Sequence, residues 1–292
     1  LLRSRVRALR HGLLATAMVL VVCLVVAVFS WLSYSDGRAA LSAMTARDVG
    51  TVESFDGGAV EVRWPSGSAR VPYESGDRIV GRQTQVAFDP SDPSRAVIPG
   101  SDLFLETDRA LGGVSFATAV AVLVLVAGAL RLVLAVRAAR SSPVTVQVRR
   151  IRLQSGLMVR SWLEIEGPTE RWLPVYYDPV LVTLPSPVEA ELRGGRVAVV
   201  DGVTLYPSGR VVTKHPRGRR QDNPAQPDPQ TRAPHGLRAQ LRVDAVFMVP
   251  APFVGLFWAY LDGSGFTGWI TATVVAAVLG LWWAALRGSD PS

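Results

Sequence analysis

Four long apolar runs limit what this chain can fold into. They are "GLLATAMVLVVCLVVAVFSWLS" (12–33), "VSFATAVAVLVLVAGALRLVLAV" (114–136), "AVFMVPAPFVGLFWAYL" (245–261) and "WITATVVAAVLGLWWAAL" (269–286). The first two are each about 22 residues, enough to cross a hydrocarbon core of about 30 Å as helices. The last two, at about 17 or 18, stand at the short limit of that range. Only "DGSGFTG" separates them, which reads as a tight turn between antiparallel helices. The runs also explain a composition of 49% hydrophobic and only 19% charged residues, where a soluble chain carries roughly 25% charge. The expected class is a membrane α-helical protein with four transmembrane helices. The first run reads as a retained anchor, because it exceeds a signal h-region of roughly 7–15 residues and no small-x-small site follows it. Cys23 is the only cysteine, so no internal disulfide can form; it reads as a small lipid- or helix-facing residue.

Arginine placement sets an orientation. Residues 1–11, a basic N-terminus, hold four arginines and no acid; 34–111 hold eight arginines against twelve acids, net −4; 137–243 hold sixteen arginines and Lys214 against nine acids, net +8. Lys and Arg are enriched on cytoplasmic flanks, and Arg137, Arg140, Arg149 and Arg150 follow the second run closely. Both termini are therefore expected in the cytoplasm, with 34–111 outside, in a multi-pass protein of the cell membrane. Trp31, Trp258, Tyr260 and Trp269 fall at outer borders and Trp282 and Trp283 at an inner one, where interfacial aromatics belong. The net charge of +7 is what such a topology and an anionic inner leaflet require. Thirty of the 31 basic residues are arginine, a usage that suggests a GC-rich bacterial genome.

Between the helices the period changes to that of strands. In 34–111, "GTVESF" and "AVEVRW" flank "DGG", with Asp56-Gly57 suited to a two-residue hairpin turn. A Pro-Ser-Gly turn, "ARVPY" and "TQVAF" follow. Short strands at this spacing indicate a small all-β sandwich or barrel outside the membrane. In 143–214, "VTVQVRRIRL", "VRSWLEIEG", "RWLPVYYD", "VEAELRGGRVAVVDG" and "TLYPSGRVV" give five or six strands, hence a small closed barrel inside. "VYYDP" echoes "VAFDP", which raises a duplicated module as one origin of the pair. Residues 215–243, rich in Pro, Gln and Arg, read as a disordered basic linker, with Asp244 as N-cap of the third helix.

"QVAFDPSDPSRAVIPG" (85–100) has two aspartates three apart, each followed by a proline, a pair that invites a metal or a proton. Proline cannot donate to a ladder, and Asp before Pro favours a turn. Each aspartate can accept from the N–H two residues on. No His or Cys lies nearby, and two carboxylates are too few oxygens for calcium. We read Asp89 and Asp92 as turn residues. The stretch resembles an uncharacterised domain found in many actinobacterial membrane proteins, carried here by Gly81, Val86, Phe88-Asp89-Pro90, Asp92-Pro93 and Ala96. Phe88 stands where that family usually has Tyr, and Arg82 where it often has Asp. The resemblance covers about residues 50–100 with the flanking helices, and it implies architecture and no catalytic site.

The remaining inventory excludes common chemistry. His11, His215 and His235 are far from any Ser/Asp arrangement, no phosphate loop with Lys-Ser/Thr occurs, and no Cys/His cluster has metal spacing. No cofactor is expected. Arg131, about two turns inside the second helix, is expected to snorkel to the inner headgroups. Arg217, Arg219 and Arg220 are candidates for contact with anionic lipid. Trp172, Tyr176 and Tyr177 are candidates for a protein interface, because a strand puts alternate side chains on opposite faces and one face should be exposed. Core packing explains these aromatics better than nucleic-acid binding, which is not expected. The expected function is a non-enzymatic envelope scaffold or accessory protein contacting other membrane proteins or itself, with a transport subunit as the alternative.

Overall fold

The computed structural model describes residues 9–73, 79–226, 233 and 237–292. Among them, four helical segments are long and apolar enough to cross a membrane: Arg10–Ala43, Asp102–Ala139, Leu237–Asp262 and Gly265–Arg287. The first two, α1 and α2, extend well past their apolar runs, through "SYSDGRAALSA" and "DLFLETDRALGG". The chain divides into two compact units, Cys23–Val120 and Leu1–Val22 with Ala121–Ser292.

In the first unit, glycines let the polar extensions of α1 and α2 approach. A Cβ at Gly37 would stand 3.3 Å from that of Thr107, and one at Gly113 would stand 3.1 Å from that of Ser30. Close backbone approach through small residues is a common way for such helices to pack. Cys23 is buried, as a helix-facing residue should be.

Five antiparallel strands complete this unit: β1 (Ala46–Asp56), β2 (Ala59–Trp64), β3 (Gly67–Pro72), β4 (Gln83–Asp89) and β5 (Asp92–Val97), in the order β3-β2-β1-β4-β5. The sheet curls until β3 and β5 approach. Strict alternation builds its core: Val60, Val62 and Trp64 of β2 point inward to Val52, Val71, Val86 and Ile98, while Glu61 and Arg63 face out. The β1–β2 turn sits one residue later than expected. Asp56 pairs with Ala59, so Gly57 and Gly58, at φ +57° and +77°, form the two-residue loop. Positive φ at both central positions favours the Gly-Gly pair over Asp-Gly.

The aspartate pair is a turn. Asp89 pairs with Asp92 across the β4–β5 hairpin. Asp89 Oδ1 accepts from the Ser91 amide (2.9 Å) and hydroxyl (2.6 Å), and Asp92 Oδ1 accepts from the Ser94 amide (3.2 Å) and hydroxyl (2.6 Å). The Ser91 hydroxyl and amide bonds hold the Asp89 carboxyl below its ordinary range. These bonds therefore stabilise the module fully above a pH of about 4, the ordinary aspartate value, and that contribution fades as pH falls through the lower folded-state value. Asp89→Asn with Asp92→Asn should keep the Ser91 and Ser94 amides protected from hydrogen exchange, since the amide oxygen accepts the same bonds, and should remove the acid dependence. The two alanine substitutions should expose both amides. Protection that requires added Ca²⁺ or Mg²⁺, and is lost in the Asn variant, would contradict the turn.

In the second unit, seven strands make one sheet: β6 (Pro143–Ser155), β7 (Met158–Ile165), β8 (Arg171–Val175), β9 (Val188–Arg193), β10 (Val197–Val200), β11 (Val203–Leu205) and β12 (Arg219–Asp222). The order is β11-β10-β9-β6-β7-β8, and the thirteen-residue β6 pairs with β9 through its first half and with β12 through its second. Among the described residues, no regular strand closes the barrel. The irregular segment 206–212 lies along β8 instead, with Tyr176 N–H to Tyr206 O (2.9 Å), Ser208 N–H to Pro174 O (2.8 Å), and Trp172 and Val212 exchanging bonds of 2.8 and 3.0 Å. The core holds Val148, Leu163, Ile165, Leu173, Val175, Leu181 and Leu205, among others. Asp178 accepts from the Val180 amide (3.0 Å) but leads into the short helix α3 (Val180–Thr183), so its likeness to Asp89 ends at the turn.

The expected linker is partly folded. β12 pairs Arg219–Asp222 with Ile151–Gln154, and Asn223 Nδ2 donates to the Leu181 and Leu184 carbonyls (2.8 and 2.9 Å). Composition concealed this, because β12 is wholly polar and gains its partners from the edge of β6. His235 lies outside the described residues.

The third helical segment is broken: α4 (Leu237–Asp244), a 3₁₀ turn (Ala245–Met248) and α5 (Ala251–Asp262), with Pro250 preceding α5. Gly263 and Gly265, both at positive φ, then turn the chain into α6 (Gly265–Arg287), a shorter loop than the sequence suggested. A Cβ at Gly255 would lie 2.8 Å from the Trp269 carbonyl oxygen, so glycine sets the α5–α6 spacing. Trp269 Nε1 donates to the Pro252 carbonyl (3.0 Å), the kind of neighbour support that a proline-interrupted helix needs.

Candidate functional site

The chemistry-bearing side chains of the second unit collect where its helix ends meet the β module. The junction has three parts, each tying residues remote in the chain.

The first is an ion pair. Val144, Val146, Val148 and Arg150 share one parity of β6, so Arg150 turns inward and its side chain is 4% exposed. Its Nη2 donates to Asp290 Oδ2 (2.8 Å) and to Ser292 Oγ (2.8 Å), and its Nη1 donates to Asn223 Oδ1 (3.0 Å). Asp290, fully buried, also accepts from the Ser161 hydroxyl (2.6 Å). The chain beyond α6 reaches this place by adding to β7 beside the residues that β8 leaves unpaired: Arg160 bridges Ser289, and the Asp290 amide donates to Val159 O (2.9 Å).

The second is the His11–Asp244 pair, Nε2 to Oδ2, joining the start of α1 to the end of α4. Both residues are buried. Asp244 makes no side-chain cap bond, so the expected N-cap is instead the partner of a histidine. Trp282 Nε1 of α6 donates to Thr16 Oγ1 of α1 (3.2 Å).

The third is a group of arginines around the end of α6. Arg131 does not simply snorkel outward. Its Nη1 donates to Tyr176 Oη (3.0 Å), to the Ser208 carbonyl (3.2 Å) and to the Leu286 carbonyl, and Tyr176 Oη donates to Leu286 O (3.1 Å). Arg160 donates through Nε to the Arg287 carbonyl (2.8 Å) and through Nη2 to Ser208 Oγ (3.3 Å), and lies 5.0 Å over the Trp162 ring. Arg287 lies 4.6 Å over the Trp283 ring. Burial first, then the like charges of Arg287 and Arg131, pull the Arg160 guanidinium down to about 10. That direction is unusual for an arginine and reflects chiefly burial, with neighbouring cations adding to it.

The sequence-predicted residues are placed differently from expectation. Both faces of β8 are covered. Leu173 and Val175 face the main core, and Trp172, 1% exposed, packs with Ile151, Leu153 and Trp162. His215 stacks edge-on against Trp172 at 4.6 Å, and Arg220 covers it at 5.6 Å. Tyr177 is buried, and Tyr176 is engaged with Arg131. No exposed aromatic face remains on this strand, because the segment expected to be disordered lies across it. Arg220 is paired with Asp222 (2.5 Å) and Glu164 (3.3 Å). Arg217 and Arg219 are exposed.

Arg131, Arg160, Arg150–Asp290 and His11–Asp244 were not singled out together because their partners lie far along the chain. One signal was readable: an arginine sharing the parity of three valines in a strand requires a buried acid somewhere. Among the described residues, no group of three or more His, Cys, Asp or Glu side chains could hold a metal ion. No family model, curated protein or solved structure matches this chain.

Proposed function

We propose that this chain is a multi-pass protein of the bacterial cell membrane that works without catalysis, holding other membrane proteins, or further copies of itself, through its two β modules. Residues 46–97 stand outside the membrane, and the module of residues 143–222 stands inside with both chain ends. The observation that carries this reading is the attachment of the inner module to the helix ends. Arg131 of α2, and Ser289 and Asp290 just beyond α6, fix the module to the ends of two helices. A module held this way presents one orientation to a partner and reduces the ordering entropy lost on binding. The arginine count supports the sidedness. Exposed apolar residues are available on each module: Val49 (54%) on the outward face of β1 and Leu157 (70%) at the β6–β7 turn. A transport subunit is the second reading, favoured only by the buried ionisable pair His11–Asp244, since such pairs within helices often mark pathways.

A photo-cross-linking amino acid at Val49 or Leu157 in living cells tests both function and orientation. Discrete protein adducts are expected at each position, with extracytoplasmic domains captured from Val49 and cytoplasmic ones from Leu157. The opposite assignment would reverse the topology. Absence of any protein adduct at both positions would contradict the scaffold reading.

A further inference from the structure

Three arginines meet at the end of α6, and the acceptors they find are carbonyl and hydroxyl oxygens. Leu286 O and Arg287 O belong to the last turn of α6, whose negative end is worth roughly half an elementary charge. Three cations exceed that charge several-fold. Asp290, the nearest acid beyond α6 in the chain, is committed to Arg150 and Ser161. Among the described residues the Arg287 guanidinium donates to no protein group, and its ring partner Trp283 is 47% exposed. Arg131 and Arg160 are held in place by Tyr176, Ser208 and the helix carbonyls, so the cluster is preorganised around an open side. Arg287 follows directly on an apolar run, and Arg131 lies about two turns from the end of α2, which is headgroup depth if the helices span a bilayer.

We propose that Arg131, Arg160 and Arg287 form a binding site for one phosphate group, carried either by an anionic lipid headgroup of the inner leaflet or by a small soluble anion. Guanidinium suits this ligand because its planar fork matches phosphate oxygens and keeps its charge when partly buried. Bound phosphate would supply the counter-charge the protein lacks and relieve the repulsion that Arg287 and Arg131 exert on Arg160. The lipid source rests on the membrane reading above; the soluble source does not.

Full-length protein in non-ionic detergent is titrated with short-chain phosphatidylglycerol, short-chain phosphatidylcholine and inorganic phosphate. Bound copies are counted by native mass spectrometry, and thermal midpoints are recorded alongside. One phosphatidylglycerol should be retained in preference to phosphatidylcholine. Arg287→Gln should weaken that retention about fivefold, the loss of one charge near a phosphate surface. The ligand-free midpoint should not fall, because loss of the Trp283 ring contact is offset by relief of the repulsion on Arg160. Arg217→Gln, also exposed but outside the cluster, should leave retention as it was. Inorganic phosphate that binds in an Arg287-dependent way and displaces the lipid at equal concentration would assign the site to a soluble anion. Equal retention of the two lipids with no phosphate effect, or equal loss in the Arg217 and Arg287 variants, would overturn the proposal. Vesicle flotation separately reads membrane insertion. A chain that does not float would end the lipid source, leaving the phosphate titration to decide the cluster.

Discussion

Asp290→Ala is expected to destabilise the β6–β12 module by about 3–5 kcal/mol, because it leaves Arg150 buried and charged with no carboxylate. Arg150 would keep only Asn223, Ser161 and Ser292 as neutral partners, and Ser292 is itself held by Asp290 through its amide (2.9 Å) and hydroxyl (2.6 Å). The chain beyond α6 should then leave β7 and become open to protease. Urea unfolding of the detergent-purified protein, read with limited proteolysis, measures both effects. Replacing the pair together, Arg150→Met with Asp290→Leu, should restore much of the loss, since an apolar pair of similar volume often matches a buried ion pair. A single Asp290→Ala variant within about 1 kcal/mol of the parent would mean that solvent or another acid reaches Arg150.

Trp172→Ala should cost a comparable amount, about 3–5 kcal/mol, by emptying the centre of the smaller core beneath residues 212–222. Its effect should resemble that of Leu173→Ala, expected at about 2–5 kcal/mol, although the two side chains point to opposite faces of β8. If Trp172 faced a partner and not this core, its removal would leave stability intact. Leu157→Ala, at a 70% exposed turn, is the control and should stay within about 0.5 kcal/mol of the parent. Near-ultraviolet circular dichroism with urea titration separates these outcomes.

Elements carried by local pattern were legible in the sequence. Three of the four apolar runs lie within helices and the third is interrupted before Ala251, the hairpins follow their glycines, and the Asp89–Ser91 and Asp92–Ser94 turns follow from Asp-Pro chemistry within three residues. What was not legible depends on partners supplied from elsewhere. The polar ends of α1 and α2 look like loop in isolation, and helix continues there because Gly37 and Gly113 let the pair pack. β12 has no apolar residue, yet it is a strand because β6 offers an edge. The arginine cluster joins positions 131, 160 and 287 through pairing of the sheet with residues beyond α6, and no window of sequence contains that relation. The two faces of β8 could not be told apart by alternation, since alternation says which side chains share a face and not whether that face is covered.

The place of Asp290 has a consequence for how the protein is made. A ribosome releases Arg150 some 140 residues before its acid partner, and α5 and α6 lie between the two. Until those helices are delivered, the β-rich domain holds an unneutralised cation in its interior and lacks the edge strand segment that covers Val159. Completion of the β domain thus waits on delivery of the last helical hairpin. A chain whose last hairpin fails to pack would display an unfinished domain open to proteolysis, so assembly of the two parts is proofread by a single late-arriving carboxylate.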